Sequence, residues 1–250
     1  MGFAGMRSTT VAVAVALSLI VSGCAPKSIR TNPDLAGKSA GMRIVALVTP
    51  DVKVYEVSAG GVRELRDEWS EQGRGNVVKA VISRFAGAPV EVRPLAQDGE
   101  AAQDVKEVMA LFEAVSQSII LHTYSDNNNP NVFPDKVKNF DYSVGSLETI
   151  LKKSGADALL LVYGEDEIAT GGKKALNALG IVTGLAVAAF TGVAIAPHME
   201  GTAMRMALAD RNGTILWYNI KGGTGYDLRN SDSSVNLVNE TMEEFPGLGK

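Results

Sequence analysis

The chain contains a single cysteine, Cys24, and this residue constrains the fold more than any other feature of the sequence. One cysteine excludes an internal disulfide and a metal cluster held by several thiolates. Stability must therefore come from an apolar core. The hydrophobic fraction of 46% is ordinary for a globular protein that buries such a core. At 250 residues the chain is long enough for one large domain or two small ones.

The residues before Cys24 match the pattern of an export signal. Arg7 supplies a positive charge, and residues 11–21 supply an apolar stretch that is too short for a transmembrane helix. The stretch ends in the letters VSGC, which resemble the lipobox of bacterial lipoproteins. The resemblance implies that the signal, residues 1–23, is cleaved between Gly23 and Cys24, and that Cys24 carries palmitate or similar acyl chains. An ordinary secretory signal that ends in a cysteine by chance is the alternative.

The predicted lipid determines where the protein lies. Two or more acyl chains anchor a protein stably, whereas one chain does not, so we expect the mature protein to stay on its membrane. Ala25 stands where Asp is the usual signal for retention in the inner membrane, so the resemblance implies the outer membrane, facing the periplasm. Residues 24–42 contain two prolines and several Ser, Gly and Lys, and predict a flexible tether. Met6 is an alternative start that changes none of this.

Charge and composition exclude one class of partner. The formal net charge is −4 and the chain has no basic run, whereas binding of nucleic-acid phosphates depends on clustered Lys and Arg. Aromatic residues make up 6% of the chain, which disfavours stacking of bases. We therefore predict no nucleic acid as a partner. The predicted partners are membrane lipid through the anchor, an unidentified envelope protein and a second copy of the chain.

Residues 43–250 alternate between strand and helix patterns. Short apolar or β-favouring runs predict four strands, at 44–48, 52–57, 90–95 and 158–163. Apolar spacing of three and four residues predicts four helices, at 67–85, 98–120, 146–153 and after residue 231. An Asn-Gly pair at 212–213 predicts a β-hairpin between 202–209 and 214–220. Residues 123–143 predict a long loop. The whole pattern predicts a single α/β (mixed α+β) domain, in which helices cover a mixed sheet.

One apolar segment interrupts this domain. Residues 175–197 contain no charge, and as a helix they would be about 35 Å long, enough to span a bilayer. A single span would place the strands before and after it on opposite sides of the membrane, which argues against that topology. Three interpretations stay open: a hairpin packed on the domain or a neighbouring subunit, a re-entrant membrane element, and the wall of an oligomeric pore. The predicted membrane or subunit contacts include the GxxxG pair and are Gly180, Gly184, Leu185, Val187 and Phe190.

Three stretches of the domain carry a resemblance to a known family. They are the strand at 44–48 with its following helix, the letters GADA at 155–158 before an apolar strand, and the hairpin LADRNGTILW at 208–217. They resemble the α/β domain shared by the TolB amino-terminal domain, the curli-export lipoprotein CsgG and the penicillin-binding-protein activator lipoproteins. Residues 51–69 are also similar to a set of uncharacterised proteobacterial lipoproteins. The resemblance implies a periplasmic binding or assembly domain, although the segment 175–197 departs from TolB.

No catalytic or metal site is predicted. His122 and His198 each lack a second histidine or carboxylate at ligand spacing, and no G-x-S-x-G nucleophile motif occurs. The Glu-Asp-Glu sequence at 165–167 is either a weak cation site or a solvated strand end, and we favour the latter because such charges are normally exposed. We expect no cofactor apart from the covalent lipid on Cys24.

The sequence therefore predicts a membrane-anchored periplasmic lipoprotein that acts as a non-enzymatic adaptor or assembly factor in the cell envelope. One alternative is a subunit of an oligomeric outer-membrane pore or secretion complex, in which residues 175–197 from several copies line or enter the membrane. The other alternative is an envelope hydrolase acting on the cell wall or on lipid, which would need a polar cleft.

Overall fold

A computed structural model describes residues 28–96, 100–124, 131–171 and 201–248. In this part of the chain an eight-stranded mixed sheet and six helices form one domain. The predicted α/β class and the mixed sheet covered by helices are confirmed.

The elements follow the predicted order closely. The strands are β1 (Arg30–Thr31), β2 (Ile44–Leu47), β3 (Asp51–Val57), β4 (Arg63–Leu65), β5 (Glu91–Pro94), β6 (Ala158–Ala169), β7 (Thr202–Ala209) and β8 (Ile215–Gly223). The helices are α1 (Leu35–Ser39), α2 (Asp67–Arg84), α3 (Glu100–Thr123), α4 (Pro134–Asn139), α5 (Glu148–Ser154) and α6 (Ser231–Thr241). Two differences matter below: β6 continues well past its predicted end at 163, and α4 lies within the predicted loop.

The long strand β6 organises the sheet. Its residues 159–166 pair with the antiparallel strand β7 along one side. Along the other side, residues 158–160 pair with β2 and residues 163–169 pair with β3, both in parallel. The strands β2 and β3 therefore lie end to end along the same side of β6, and residues 48–50 separate them. The remaining order is β1-β8-β7-β6-β2-β5, with β4 outside β3.

Helices cover both faces of the first half of β6. On one face, α2 and α6 enclose a core that contains Leu160, Val162 and Trp217. On the other face, α3 and α5 enclose a core that contains Leu159 and Leu161. Burial on both faces requires an unbroken apolar run rather than an alternating one, and the sequence has such a run at this position.

Helix α2 passes through two glycines that disfavour a helix by about 1 kcal/mol each. A Cβ atom at Gly73 would lie 3.1 Å from Val52 Cγ1 and 3.2 Å from Leu228 Cβ, whereas one at Gly75 would meet nothing within 4 Å. Gly73 thus lets the helix pack closely on β3. This packing offsets the low helix propensity.

The structure corrects the flexible tether predicted for residues 24–42, because its described part, from residue 28 onward, belongs to the folded domain. Ile29 is buried in the core, and Arg30 pairs with Tyr218 at the edge of the sheet. The backbone N–H of Asn32 donates to the carbonyl of Leu216 at 2.9 Å. The polar composition predicted a tether because a two-residue strand is too short to leave a periodic pattern. Three residues therefore separate Cys24 from the first described residue.

Candidate functional site

The uncharged residues 175–197 lie between β6 and β7 in the sequence. The last residues of β6 and the first residues of β7 lie together at one end of the sheet. There, β6 and β7 remain paired at Asp166 and Thr202, and the N–H of Glu167 donates to the carbonyl of Gly201 at 3.1 Å. The strands β3 and β8 end beside them, at Val57 and Gly223. We call this end, which is defined by Val57, Asp166, Thr202 and Gly223, the connector edge. The chain leaves the sheet here after β6 and re-enters it here at β7.

The N-terminal part of the domain comes from the same direction. Strand β1 is antiparallel to β8, with Arg30 opposite Tyr218 and Thr31 opposite Trp217. The residues before Arg30 therefore run towards the end of β8, which is Gly223. The first described residues, 28 and 29, thus precede β1 on the side of the connector edge.

Glycines allow the backbones to approach closely at the connector edge. Gly201 has φ +139°, and a Cβ atom there would lie 2.6 Å from the carbonyl oxygen of Gly223. A Cβ atom at Gly222 would lie 2.3 Å from the carbonyl oxygen of Thr202. Any larger residue at these two positions would force β7 and β8 apart. The glycines therefore keep the two strands paired up to the point where β7 begins.

A buried carboxyl group, Asp166, lies on the α2 side of the connector edge. Its side chain is 1% exposed, and its oxygens contact Thr202 Oγ1 at 2.7 Å and the N–H of Leu228 at 2.9 Å. Burial raises the pKa of Asp166 above its usual value. Asp166 thus joins β6, β7 and the 226–230 segment, which α2 also holds through a hydrogen bond from Asn76 Nδ2 to the Leu228 carbonyl at 3.0 Å.

The neighbouring carboxylates lie on the opposite face of the sheet and are paired. Arg63 on β4 reaches across β3, where its Nε donates to Glu167 Oε1 at 2.7 Å and its Nη2 donates to Glu165. Its guanidinium carbon lies 4.1 Å from the ring centre of Tyr55. The expectation that residues 165–167 form a solvated strand end is therefore wrong. These residues lie inside the sheet, because β3 and β7 both pair with the second half of β6.

Two more cations flank a tyrosine on this charged face. Lys53 Nζ and the Arg205 guanidinium carbon lie 5.1 and 4.9 Å from the ring centre of Tyr163. The hydroxyl of Tyr163 donates to Glu165 at 3.0 Å, and burial together with Glu165 raises the pKa of Tyr163 above its usual value. Tyr163 therefore stays a hydrogen-bond donor. The α3 side of the connector edge is thus a layer of interleaved charges and aromatic rings.

The predicted site residues lie outside the described residues. They are Gly23, Cys24, Gly180, Gly184, Leu185, Val187 and Phe190. His122 packs on Phe133 with their ring centres 4.6 Å apart, and its Nδ1 lies 2.8 Å from the carbonyl oxygen of Asn131. Across the described ranges, no three His, Cys, Asp or Glu side chains are grouped so as to hold a metal. None of the helices described has the length and apolar character that crossing a bilayer requires.

A comparison with solved structures finds a weak structural similarity. No protein-family model matches the chain, and no curated protein matches it. The chain is similar to the PelC dodecamer from Paraburkholderia phytofirmans, with 14% identity and a TM-score of 0.34 over 89% of this chain and 96% of the PelC chain. A similarity of this size carries no argument about fold family, assembly or function. The resemblance to the TolB, CsgG and activator domains stays a prediction.

Proposed function

We propose that this protein is a lipid-anchored envelope protein that acts as a non-enzymatic adaptor or assembly factor on the periplasmic side of the outer membrane. In this proposal the connector edge faces the lipid. The observation that carries it is that three parts of the chain lie on the side of the connector edge. They are residues 28 and 29 before β1, the end of β6 and the start of β7.

The short link to the predicted lipid supports this orientation. Four residue steps separate Cys24 from Ser28, and an extended chain spans at most about 3.6 Å per residue, or about 14 Å in all. A domain on such a link stays next to the membrane surface instead of being lifted away from it. Because residues 28 and 29 precede β1 on the side of the connector edge, we propose that this edge is the part of the domain nearest to the lipid.

The pairing of β6 and β7 also limits what residues 175–197 can do. The chain leaves β6 and returns to β7 at the same edge, where Asp166 is opposite Thr202. A single membrane crossing would place these two paired strands on opposite sides of the membrane, which argues against it. We therefore propose that the uncharged residues 175–197 either enter the lipid in a re-entrant form or pack on the domain or on a neighbouring subunit.

The acidic and basic side chains at the connector edge support a structural role instead of a reaction. Arg63 is engaged by Glu165 and Glu167, and Asp166 is engaged inside the domain by Thr202 and Leu228. A general acid or base needs a group that can reach a substrate. We therefore propose no enzymatic activity and no cofactor beyond the predicted lipid. Turnover of labelled cell-wall fragments or lipids by the purified protein would contradict this part of the proposal.

The orientation is tested with an environment-sensitive fluorophore on single introduced cysteines in the full-length lipoprotein, reconstituted in vesicles. Thr224→Cys places the probe at the connector edge, and the matched variant Ser83→Cys places it in the last turn of α2, at the opposite end of the sheet. Both positions are exposed. We expect a lipid-phase quencher to quench the probe at Thr224→Cys and not at Ser83→Cys. Equal quenching, or quenching at Ser83→Cys alone, would reject the orientation.

The native mass separates the adaptor from the pore alternative. Light scattering of the detergent-solubilised lipoprotein should give a monomer or a small assembly if the protein is an adaptor. A ring-sized oligomer would instead support a pore or secretion subunit.

Combining Leu185→Glu with Val187→Glu should weaken vesicle binding of the Cys24→Ser protein if these residues touch lipid, whereas Ile82→Glu, on the exposed end of α2, should not.

A further inference from the structure

The hydroxyl group of Thr202 has two acceptor partners but only one proton to donate. Its Oγ1 lies 2.7 Å from Asp166 Oδ1 and 2.9 Å from the carbonyl oxygen of Tyr226. A carbonyl oxygen can only accept, and an ionised carboxylate can also only accept. If Asp166 were ionised, one of these two close contacts would bring two oxygen atoms together with no hydrogen between them.

We infer that Asp166 is a neutral carboxylic acid in the folded protein. Its proton completes a hydrogen-bond chain that holds the 226–230 segment against Asp166 of β6 and Thr202 of β7. In this chain Asp166 Oδ1–H donates to Thr202 Oγ1, and Thr202 Oγ1–H donates to the carbonyl of Tyr226. The N–H of Leu228 donates to the second oxygen, Oδ2, at 2.9 Å. Each polar atom of the chain then has a partner, as buried polar groups require.

Burial favours the same protonation state. Asp166 is 1% exposed, and burying an ionised carboxylate without a cation in contact is far more costly than burying a hydrogen-bonded neutral acid. Val52 and Val54 of β3 belong to the core on this side of the sheet. Burial is accordingly the largest cause of the raised pKa of Asp166.

The charged groups that act on Asp166 come from the segment that it holds. Asp227 raises the pKa of Asp166 and Arg229 lowers it. Arg229 is itself held by Asp227, with Nη2 donating to Oδ2 at 2.8 Å and Nε donating to Oδ1 at 3.0 Å, so its charge is largely compensated. The side chains of α2 and α6 that donate to the Leu228 and Arg229 carbonyls are uncharged: Gln72 and Asn76 from α2, and Ser234 from α6. Two carboxylates act on the rest of the segment: Glu240 of α6 accepts from the Tyr226 hydroxyl at 2.7 Å, and Glu56 of β3 acts on Arg229.

The proton makes the connector edge sensitive to rising pH. Because the pKa of Asp166 is raised in the folded state, the folded protein keeps a proton over a pH range in which the unfolded chain has lost it. The stability that this proton contributes is fully present below the unfolded pKa of 3.8 and is lost as the pH rises through the folded pKa. This direction is opposite to that of ordinary acid denaturation.

The test compares the full-length lipoprotein with its Asp166→Asn variant in detergent, by urea unfolding over a pH series. The amide of Asn can donate to Thr202 and accept from Leu228, so this variant reproduces the neutral acid without a titrating proton. Relative to the variant, the unfolding constant of the natural protein should rise by up to about tenfold per pH unit between the unfolded and folded pKa values. The exposed control Asp232→Asn should keep the pH slope of the natural protein.

Equal pH slopes for the natural protein and Asp166→Asn would overturn the inference, since Asp166 would then be ionised and Thr202 would donate to it alone. If Asp166→Asn fails to fold, infrared spectroscopy of the natural protein decides instead. With aspartate labelled at the carboxyl carbon, the band of a protonated carboxylic acid should persist above the pH at which exposed aspartates ionise. The absence of this band would reject the neutral acid.

Discussion

The two halves of β6 lie in different surroundings, although they belong to one continuous strand. The first half is apolar and completely enclosed, with Leu160 on the α2 side and Leu161 on the α3 side. The second half carries Glu165, Asp166 and Glu167. Glu165 and Glu167 both pair with Arg63 of β4, and Asp166 accepts a hydrogen bond from the N–H of Leu228. Apolar burial is non-directional, whereas charge pairing needs particular atoms at particular distances. Loss of packed volume should therefore cost most in the first half, and loss of a particular bonding partner should matter in the second half.

The largest difference between the halves should appear on removal of apolar side chains from one face of β6. Leu160 is fully buried, whereas Ile168 is only partly buried against the same core. We expect Leu160→Ala to lower the free energy of unfolding by about 3 kcal/mol, and Ile168→Ala by about 1 kcal/mol. Urea unfolding of the detergent-solubilised protein measures both values. Equal losses would mean that the second half is as tightly enclosed as the first.

The next effect concerns the close backbone contact at the connector edge. Gly222→Ala places a methyl group 2.3 Å from the carbonyl oxygen of Thr202, so we expect a loss of about 2–3 kcal/mol as β7 and β8 separate. Gly225→Ala is the matched control, because a Cβ atom there meets nothing within 4 Å. Amide hydrogen exchange should show the Gly222→Ala damage at the connector edge and not at Leu208 of β7, which pairs with Leu160 in the first half of β6. Uniform protection would contradict this local effect.

A smaller effect should follow from neutralising one carboxylate of the Arg63 pair. The side chain of Glu167 is 8% exposed while Arg63 is 31% exposed, so part of the interaction is screened by solvent. We expect Glu167→Gln to cost about 1–2 kcal/mol, less than a fully buried pair would. Glu64→Gln, on a side chain that is 70% exposed, should leave the unfolding free energy unchanged. If the two variants behave alike, the second half of β6 is not held by this pairing.

The smallest effect lies outside both halves, at the start of α6. The side chain of Asn230 accepts a hydrogen bond from the N–H of Ser233 at 3.0 Å and caps the helix. We expect Asn230→Ala to cost about 1 kcal/mol and Asn230→Ser to restore most of this loss. Thermal unfolding followed by circular dichroism checks both variants. A larger loss would indicate that the cap also supports the 226–230 segment and hence Asp166.

Sequence periodicity predicted most of the elements, but it placed the end of β6 too early. The helices α2, α3 and α6 and the β7–β8 hairpin lie where apolar spacing and the Asn-Gly turn indicated. The charges at 165–167 indicated a strand end, because period-two burial cannot be read from three consecutive acidic residues. The strand continues because β3 and β7 pair with it on both sides. The lipid on Cys24 and the contacts of residues 175–197 stay predictions.

By itself, the sequence determined which segments are buried and which kind of element each one forms, because hydrophobic periodicity is a local property of the chain. Only the tertiary structure decided that Asp166 meets the N–H of Leu228, 62 positions away, and that Arg63 meets Glu165, 102 positions away. It also decided that the N-terminal approach and both ends of the apolar connection lie at one edge. Such meetings depend on strand order and register, which arise from the packing of the whole sheet and not from any single segment.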